Sequence, residues 1–328
     1  MTSPDARLPE LDALRVIALG LMVAFHLAYD LQEYAGIKVD YTAPGWWIAG
    51  KASALLFIFV SGLCATFSRA PAKRGLRLLG CGTLITAATY VLFPASYVRF
   101  GILHFLGTAM LLSVLWRRLS DRTIVSLALL SLGAGLIGRT IAVGTSLLVP
   151  LGLTYPGFAS LDYYPLFPYL AVSLLGTLTA RAFGLSLADQ NARGSNSAKT
   201  ASLSTACSRP GNCLTKRAKA LRTALQVIGA LPGIRCLSRH SLSAYFVHQP
   251  LILLVIWAIS LRSGRLSQAE WLNALKTTPL EGGAMLIRQA LLVQYLATAH
   301  AALILGALGS AIAAFLAWKR LNHPATKN

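Results

Sequence analysis

Four ionisable residues in the first apolar run, Asp12, Arg15, His26 and Asp30 of LDALRVIALGLMVAFHLAYDL, raise the first chemical question. At about 100° per residue along a helix they share one stripe less than a quarter-circle wide, with Leu19 and Met22 between them. An ionisable group in a lipid-soluble helix costs about 2.5–3.5 kcal/mol even on the mild insertion scale, so this stripe must face other helices or a wet cavity. The plain explanation is two packing pairs, Asp12 with Arg15 at i,i+3 and His26 with Asp30 at i,i+4. The chemical one is that a carboxylate beside an imidazole fixes its tautomer and raises its basicity, which a general base requires.

Other polar groups fall at matching depth. His104 opens a later apolar run in RFGILHFLG, and Asp162 enters another in LDYYPLFPYL. Both belong at the level of His26 and Asp30. In RHSLSAYFVHQPLILLVIW, Ser241, Tyr245 and His248 share one helix face, and Pro250 favours a kink beside His248. His104 is the first candidate for a catalytic base, with His26 and Asp30 in support. The alternative is His26 as the base with Asp30 as its orienter. Asp162, Tyr245 and His248 are candidates for binding a substrate.

The elements that carry these residues are membrane helices. Of 328 residues, 55% are hydrophobic and only 12% charged, and the mean hydropathy is +0.60. A soluble domain carries about twice that charged fraction. Stretches of roughly 20 apolar residues predict about eight spans, near 11–31, 47–68, 76–94, 100–116, 123–143, 164–183, 241–260 and 298–318. The expected fold is therefore all-α, a polytopic transmembrane helix bundle. The first span reads as an uncleaved signal-anchor, because the acidic start MTSPDARLPELDALR does not suit a cleaved leader.

The net charge of +19 does not call for nucleic acid, because its Lys and Arg gather in alternate connections. Arg69, Lys73, Arg74 and Arg77 join spans two and three, and Arg117, Arg118 and Arg122 join four and five, whereas 144–163 holds neither Lys nor Arg. That asymmetry predicts cytoplasmic termini and a multi-pass protein of the cell inner membrane. Residues 186–222 are small, polar and basic, and read as a mobile cytoplasmic linker within a membrane domain of 1–260. Residues 261–328 form an extension holding the last span. Five scattered cysteines make no disulfide framework, no metal-ligand spacing stands out, and no Walker loop, H-E-x-x-H or G-x-S-x-G occurs.

The stretches LDALRVIALGLMVAFHLAYDL, FIFVSG, RFGILHFLG, DYYPLFPYL and SLSAYFVHQP, in that order, resemble the heparan-alpha-glucosaminide N-acetyltransferase catalytic-domain family in its small bacterial form, within the wider membrane acyltransferase group. The resemblance implies an acetyltransferase that takes its acyl group from cytoplasmic acetyl-CoA and delivers it to an amino sugar or glycan on the far face. Arg15, Arg74, Arg77 and Arg239 are then candidates to hold the phosphates of CoA. The chain departs from the family pattern in three places: YTAPGWWIAG has no histidine, and Val16 and Ser238 stand where glycines are expected. The implied partners are the lipid bilayer and a sugar acceptor, with an oligomer left open. The rival readings are a carrier of a small solute or proton along the polar stripe, and a non-catalytic membrane partner.

Overall fold

The computed structural model describes residues 8–183 and 216–262, and every helix named below lies within them. In chain order these are α1 (Pro9–Ala35), α2 (Pro44–Phe67), α3 (Pro71–Leu92), α4 (Ile102–Trp116), α5 (Asp121–Gly138), α6 (Leu166–Ala182), α7 (Lys216–Ala230), α8 (Pro232–Arg239) and α9 (Ser241–Arg262). A 3-10 turn over Ser146–Leu151 breaks the connection from α5 to α6. The described residues hold no strand, only two isolated bridges.

Local chemistry explains the boundaries. Proline opens α1, α2, α3 and α8, where its missing N–H is not needed. Gly36 ends α1 at φ 63, a left-handed conformation that favours glycine. The Ser120 hydroxyl accepts the Thr123 N–H at 3.2 Å and caps α5.

The all-α membrane expectation holds. Five helices, α1, α2, α3, α5 and α9, are long and apolar enough to cross a bilayer. The fourth and sixth expected spans are α4 and α6, with only 15 and 17 residues. The span expected near 298–318 lies outside the described residues, as does most of the expected linker. The end of that linker is helix: α7 starts at Lys216, inside 186–222. Its sequence, KRAKALRTALQVIGA, is rich in good helix formers, and it docks on α1. Gln226 Nε2 donates to Glu10 Oε1 at 2.7 Å, and Arg222 lies 3.5 Å from the same oxygen.

The bundle is held by close backbone approach, as expected where lipid tails are as apolar as the side chains. A Cβ on Gly62 would collide with the Ser173 backbone, and one on Gly176 with the Phe59 carbonyl, so α2 and α6 cross at two glycines. Thr177 Oγ1 donates across this crossing to the Gly62 carbonyl at 3.2 Å. Gly75 faces Gly107 in the same way between α3 and α4. Phe105, Ile58, Ile124 and Leu174 fill the interior, while Leu84, Val91, Leu130 and Leu254 stand exposed on the outside. An apolar exterior around a packed core is the pattern of a lipid-facing bundle.

The end of the bundle bearing the connections 36–43, 93–101 and 139–165 is called the upper end below. Two of these connections dip inward. Thr86 Oγ1 donates to the Val98 carbonyl at 2.7 Å, and the Val98 N–H donates to Thr89 Oγ1 at 3.0 Å, so 93–101 folds back down α3. It pairs with the descending 152–165 segment through Leu161 N–H to Ser96 O at 2.8 Å and Tyr164 N–H to Phe100 O at 2.9 Å. As a result His104 lies against Gly82, ten residues and about 15 Å below the upper end of α3. Irregular backbone at that depth is tolerated because it is enclosed by protein or lines a wet space.

Candidate active site

The structure gathers His26, Asp30, Tyr245 and His248 where α1 meets α9. His248 Nδ1 lies 2.6 Å from the Tyr245 carbonyl, and His248 Nε2 lies 3.1 Å from His26 Nδ1. A carbonyl only accepts, so His248 Nδ1 carries a proton and donates it. With both rings neutral, His248 Nε2 is then an acceptor, and His26 Nδ1–H donates to it. The one remaining lone pair of the pair is on His26 Nε2, and no side chain among the described residues hydrogen-bonds to it. The Met22 carbonyl, one turn earlier, also accepts from the His26 ring, so Nδ1–H is shared between Met22 and His248 and the other nitrogen is left as the base.

Asp30 does not orient His26. Its carboxylate is fully buried and takes both oxygens to Gln249, whose Nε2 stands 3.0 and 2.8 Å away. The i,i+4 spacing was sound, but α9 presents adjacent residues, His248 and Gln249, one to each member of the expected pair. Gln249 was not among the sequence candidates, although a glutamine beside His248 in an apolar helix was a visible signal. Tyr34 and Ile256 pack above these contacts and hold α9 to α1.

His104 is elsewhere, between α4 and α3. Its Nε2 lies 3.4 Å from Thr86 Oγ1, whose own proton goes to Val98, so Nε2 carries the hydrogen. The lone pair is on Nδ1, which is buried, unpartnered among the described residues, and pressed on α3 at Gly82. The expected convergence of His104 with His26 is therefore not what the contacts show. Depth along the helices matches, but the partners of His104 belong to α3.

Asp162 caps α4: its Oδ2 accepts the Ile102 N–H at 2.7 Å, and it touches Gly101, where a side chain would not fit. Burial pushes its carboxyl up to about 6, against the opposing pull of the Ile102 N–H and the Lys51 ammonium. Between its ordinary value of 3.8 and about 6, the folded chain binds more protons here than the unfolded chain, so stability falls as pH rises through that window. Asp162→Asn keeps an acceptor for Ile102 and is expected to flatten that slope, read as the apparent Tm in detergent between pH 4 and pH 7. An unchanged slope would assign the pH dependence to another group.

Beside Asp162 stands a residue absent from the sequence candidates. The Lys51 ammonium of α2 lies 5.4 Å from the centre of the Tyr164 ring, and Tyr164 packs on Tyr169 at 5.1 Å. Tyr245 packs against the same core, with its ring 5.7 Å from that of His248. Lys51 was hidden in the apolar run 47–68, yet it is the single charged residue of α2. Above this level, Arg99 fastens the dipping connections: its guanidinium lies 4.3 Å from the Tyr97 ring and donates to the Ala159 carbonyl at 3.3 Å.

At the lower end, Arg15 is tied down. It lies 3.5 Å from Asp12 and 2.8 Å from Cys64 Sγ, and Asp12 also accepts from Ser238 at 2.6 Å. Those contacts fasten α1 to α2 through Arg15 and to α8 through Asp12, while the Arg15 side chain stays 32% exposed. Arg74, Arg77 and Arg239 are exposed, and no described residue bonds to their guanidinium groups. No group of three or more His, Cys, Asp or Glu gathers as a metal site among the described residues.

Comparison with known proteins gives one family. The model described as "Heparan-alpha-glucosaminide N-acetyltransferase, catalytic" matches residues 7–210, a stretch that holds α1 to α6 and stops before α7. No curated protein and no solved structure matches the chain.

Proposed function

Because the chain belongs to the heparan-alpha-glucosaminide N-acetyltransferase catalytic family, we propose that it moves an acetyl group from acetyl-CoA on the cytoplasmic face to an amine or hydroxyl of an amino sugar or glycan on the outer face of the inner membrane. The Lys and Arg of the lower connections support that orientation, with the upper end outside.

The observation that carries the chemistry is the His26–His248 pair, with its single free lone pair on His26 Nε2. In the proposed step the acceptor nitrogen or oxygen attacks the thioester carbonyl carbon, and its proton passes to His26 Nε2. The carbon–sulfur bond of the donor then breaks, and the CoA thiolate takes a proton back from the imidazolium. His248 accepts from Nδ1–H throughout, so the ring need not rotate as its charge changes. Arg74, Arg77 and Arg239 suit the donor's phosphates, being exposed at the lower end. Eleven residues, about 16 Å, separate Arg15 from His26 along α1, and the donor's arm has to cover that stretch.

Purified protein given labelled acetyl-CoA and a panel of amino sugars tests this reading. Label on a sugar with matching CoA release supports it. The ionisable stripe of α1 runs from Asp12 to Asp30 and favours a carrier as the second reading. Solute or proton uptake into vesicles with no acetyl turnover would establish the carrier instead.

A further inference from the structure

Lys51 is the group in this site that the transfer step does not use. It lies seven residues, about 10 Å, below the upper end of α2 and is half-buried. An ammonium carries three donors. Among the described residues none of them finds a hydrogen bond or a salt bridge; the ammonium rests on the face of Tyr164, with Tyr169, Asp162 and Arg139 near enough to act on its charge. Asp162 is near enough to feel its charge, but it holds the Ile102 N–H through Oδ2 and forms no ion pair within bonding distance of the ammonium. A charge held this deep with no anion bonded to it is costly, and such groups mark binding sites in membrane helices.

Two routes of contact join Lys51 to the base. Gly50, its neighbour, is backed by the ring of Phe25, which precedes His26; a Cβ there would stand 3.0 Å from that ring. On the other side, Tyr164 and Tyr245 pack in one cluster, and Tyr245 meets His248. We infer that Lys51 is an anion subsite for the acceptor, taking a phosphate or carboxylate carried on the sugar while the amine or hydroxyl reaches His26. This inference rests on the acetyltransferase reading, and the anion can be borne by a soluble sugar phosphate or by a lipid-linked one.

The test uses the full chain in detergent with acetyl-CoA and either glucosamine or glucosamine 6-phosphate. The wild type is expected to favour the phosphorylated sugar by about tenfold or more in kcat/KM, through KM. Lys51→Met should raise KM for the phosphorylated sugar and bring the two acceptors within about twofold, while Lys51→Arg keeps most of the preference. A wild type with no preference, or a Lys51→Met protein that retains it, overturns the subsite. Should no acetyl group reach either sugar, the acetyltransferase reading fails, and binding decides the subsite alone. In that case glucosamine 6-phosphate must raise the wild-type Tm more than glucosamine does, and must lose that advantage in Lys51→Met; equal shifts overturn it. Competition by phosphatidic acid in mixed micelles supports the subsite with a lipid-borne anion, and binding unaffected by it supports the subsite with a soluble one.

Discussion

His26→Gln is expected to lower the rate of acetyl transfer about 10²–10⁴-fold, the usual cost of a missing general base. Glutamine keeps a donor for His248 but cannot accept a proton near neutral pH, so the loss should fall on kcat with little change in KM. The wild-type rate should rise with pH as the base sheds its proton, and His26→Gln should lose that limb. His248→Gln is a gentler change, because its amide oxygen can still accept from His26 Nδ1–H, and an intermediate rate is expected. His104→Gln separates the two histidine centres. That side chain lies against α3 at Gly82, so its exchange should lower the Tm more than the rate. A fully active His26→Gln protein beside an inactive, well-folded His104→Gln protein would move the base to His104.

Gly176→Val is expected to cost about 3 kcal/mol, the upper end of the range for overpacking a well-filled contact. Its side chain would be driven into the Phe59 carbonyl, which belongs to the backbone of α2 and cannot rotate away. The helices would have to separate, and Thr177 would lose the Gly62 carbonyl across the crossing. The measurement is the Tm, or the folded fraction on mild heating, of purified protein in detergent. Gly20→Ala in α1 is the control, because nothing lies within 4 Å of its Cβ position, and alanine favours the helix. A Gly176→Val protein as stable as the control would mean that the α2–α6 crossing does not hold the bundle.

Much of the architecture could be read from apolar runs, because a bilayer leaves helices as the simple way to satisfy the backbone. The stripe of α1 was legible for the same reason: helical period fixes which residues share a face, and Asp12, Arg15, His26 and Asp30 all meet neighbouring helices. Depth was legible for His26 and His104, at a constant rise per residue. Azimuth was not. His104 and His26 lie at comparable depth, yet the contacts of one are on α3 and those of the other on α9, and nothing in either sequence stretch states which helix stands opposite. The same gap hid Gln249, whose claim on Asp30 depends on how α9 is turned. Lys51 was missed for another reason, since one cation in an otherwise apolar run of more than 20 residues does not disturb the prediction of a span.

The dipping connections also shorten the apolar path inside the bundle. At 15 and 17 residues, α4 and α6 measure only about 22 and 26 Å, against a hydrocarbon layer of about 30 Å. Both helices are largely enclosed by their neighbours, so the shortfall is filled by the descending loops and not by lipid. The apolar layer is then thinnest inside the bundle, where the polar upper loops descend. A group passed through this protein would cross less oil than one passing through the surrounding bilayer.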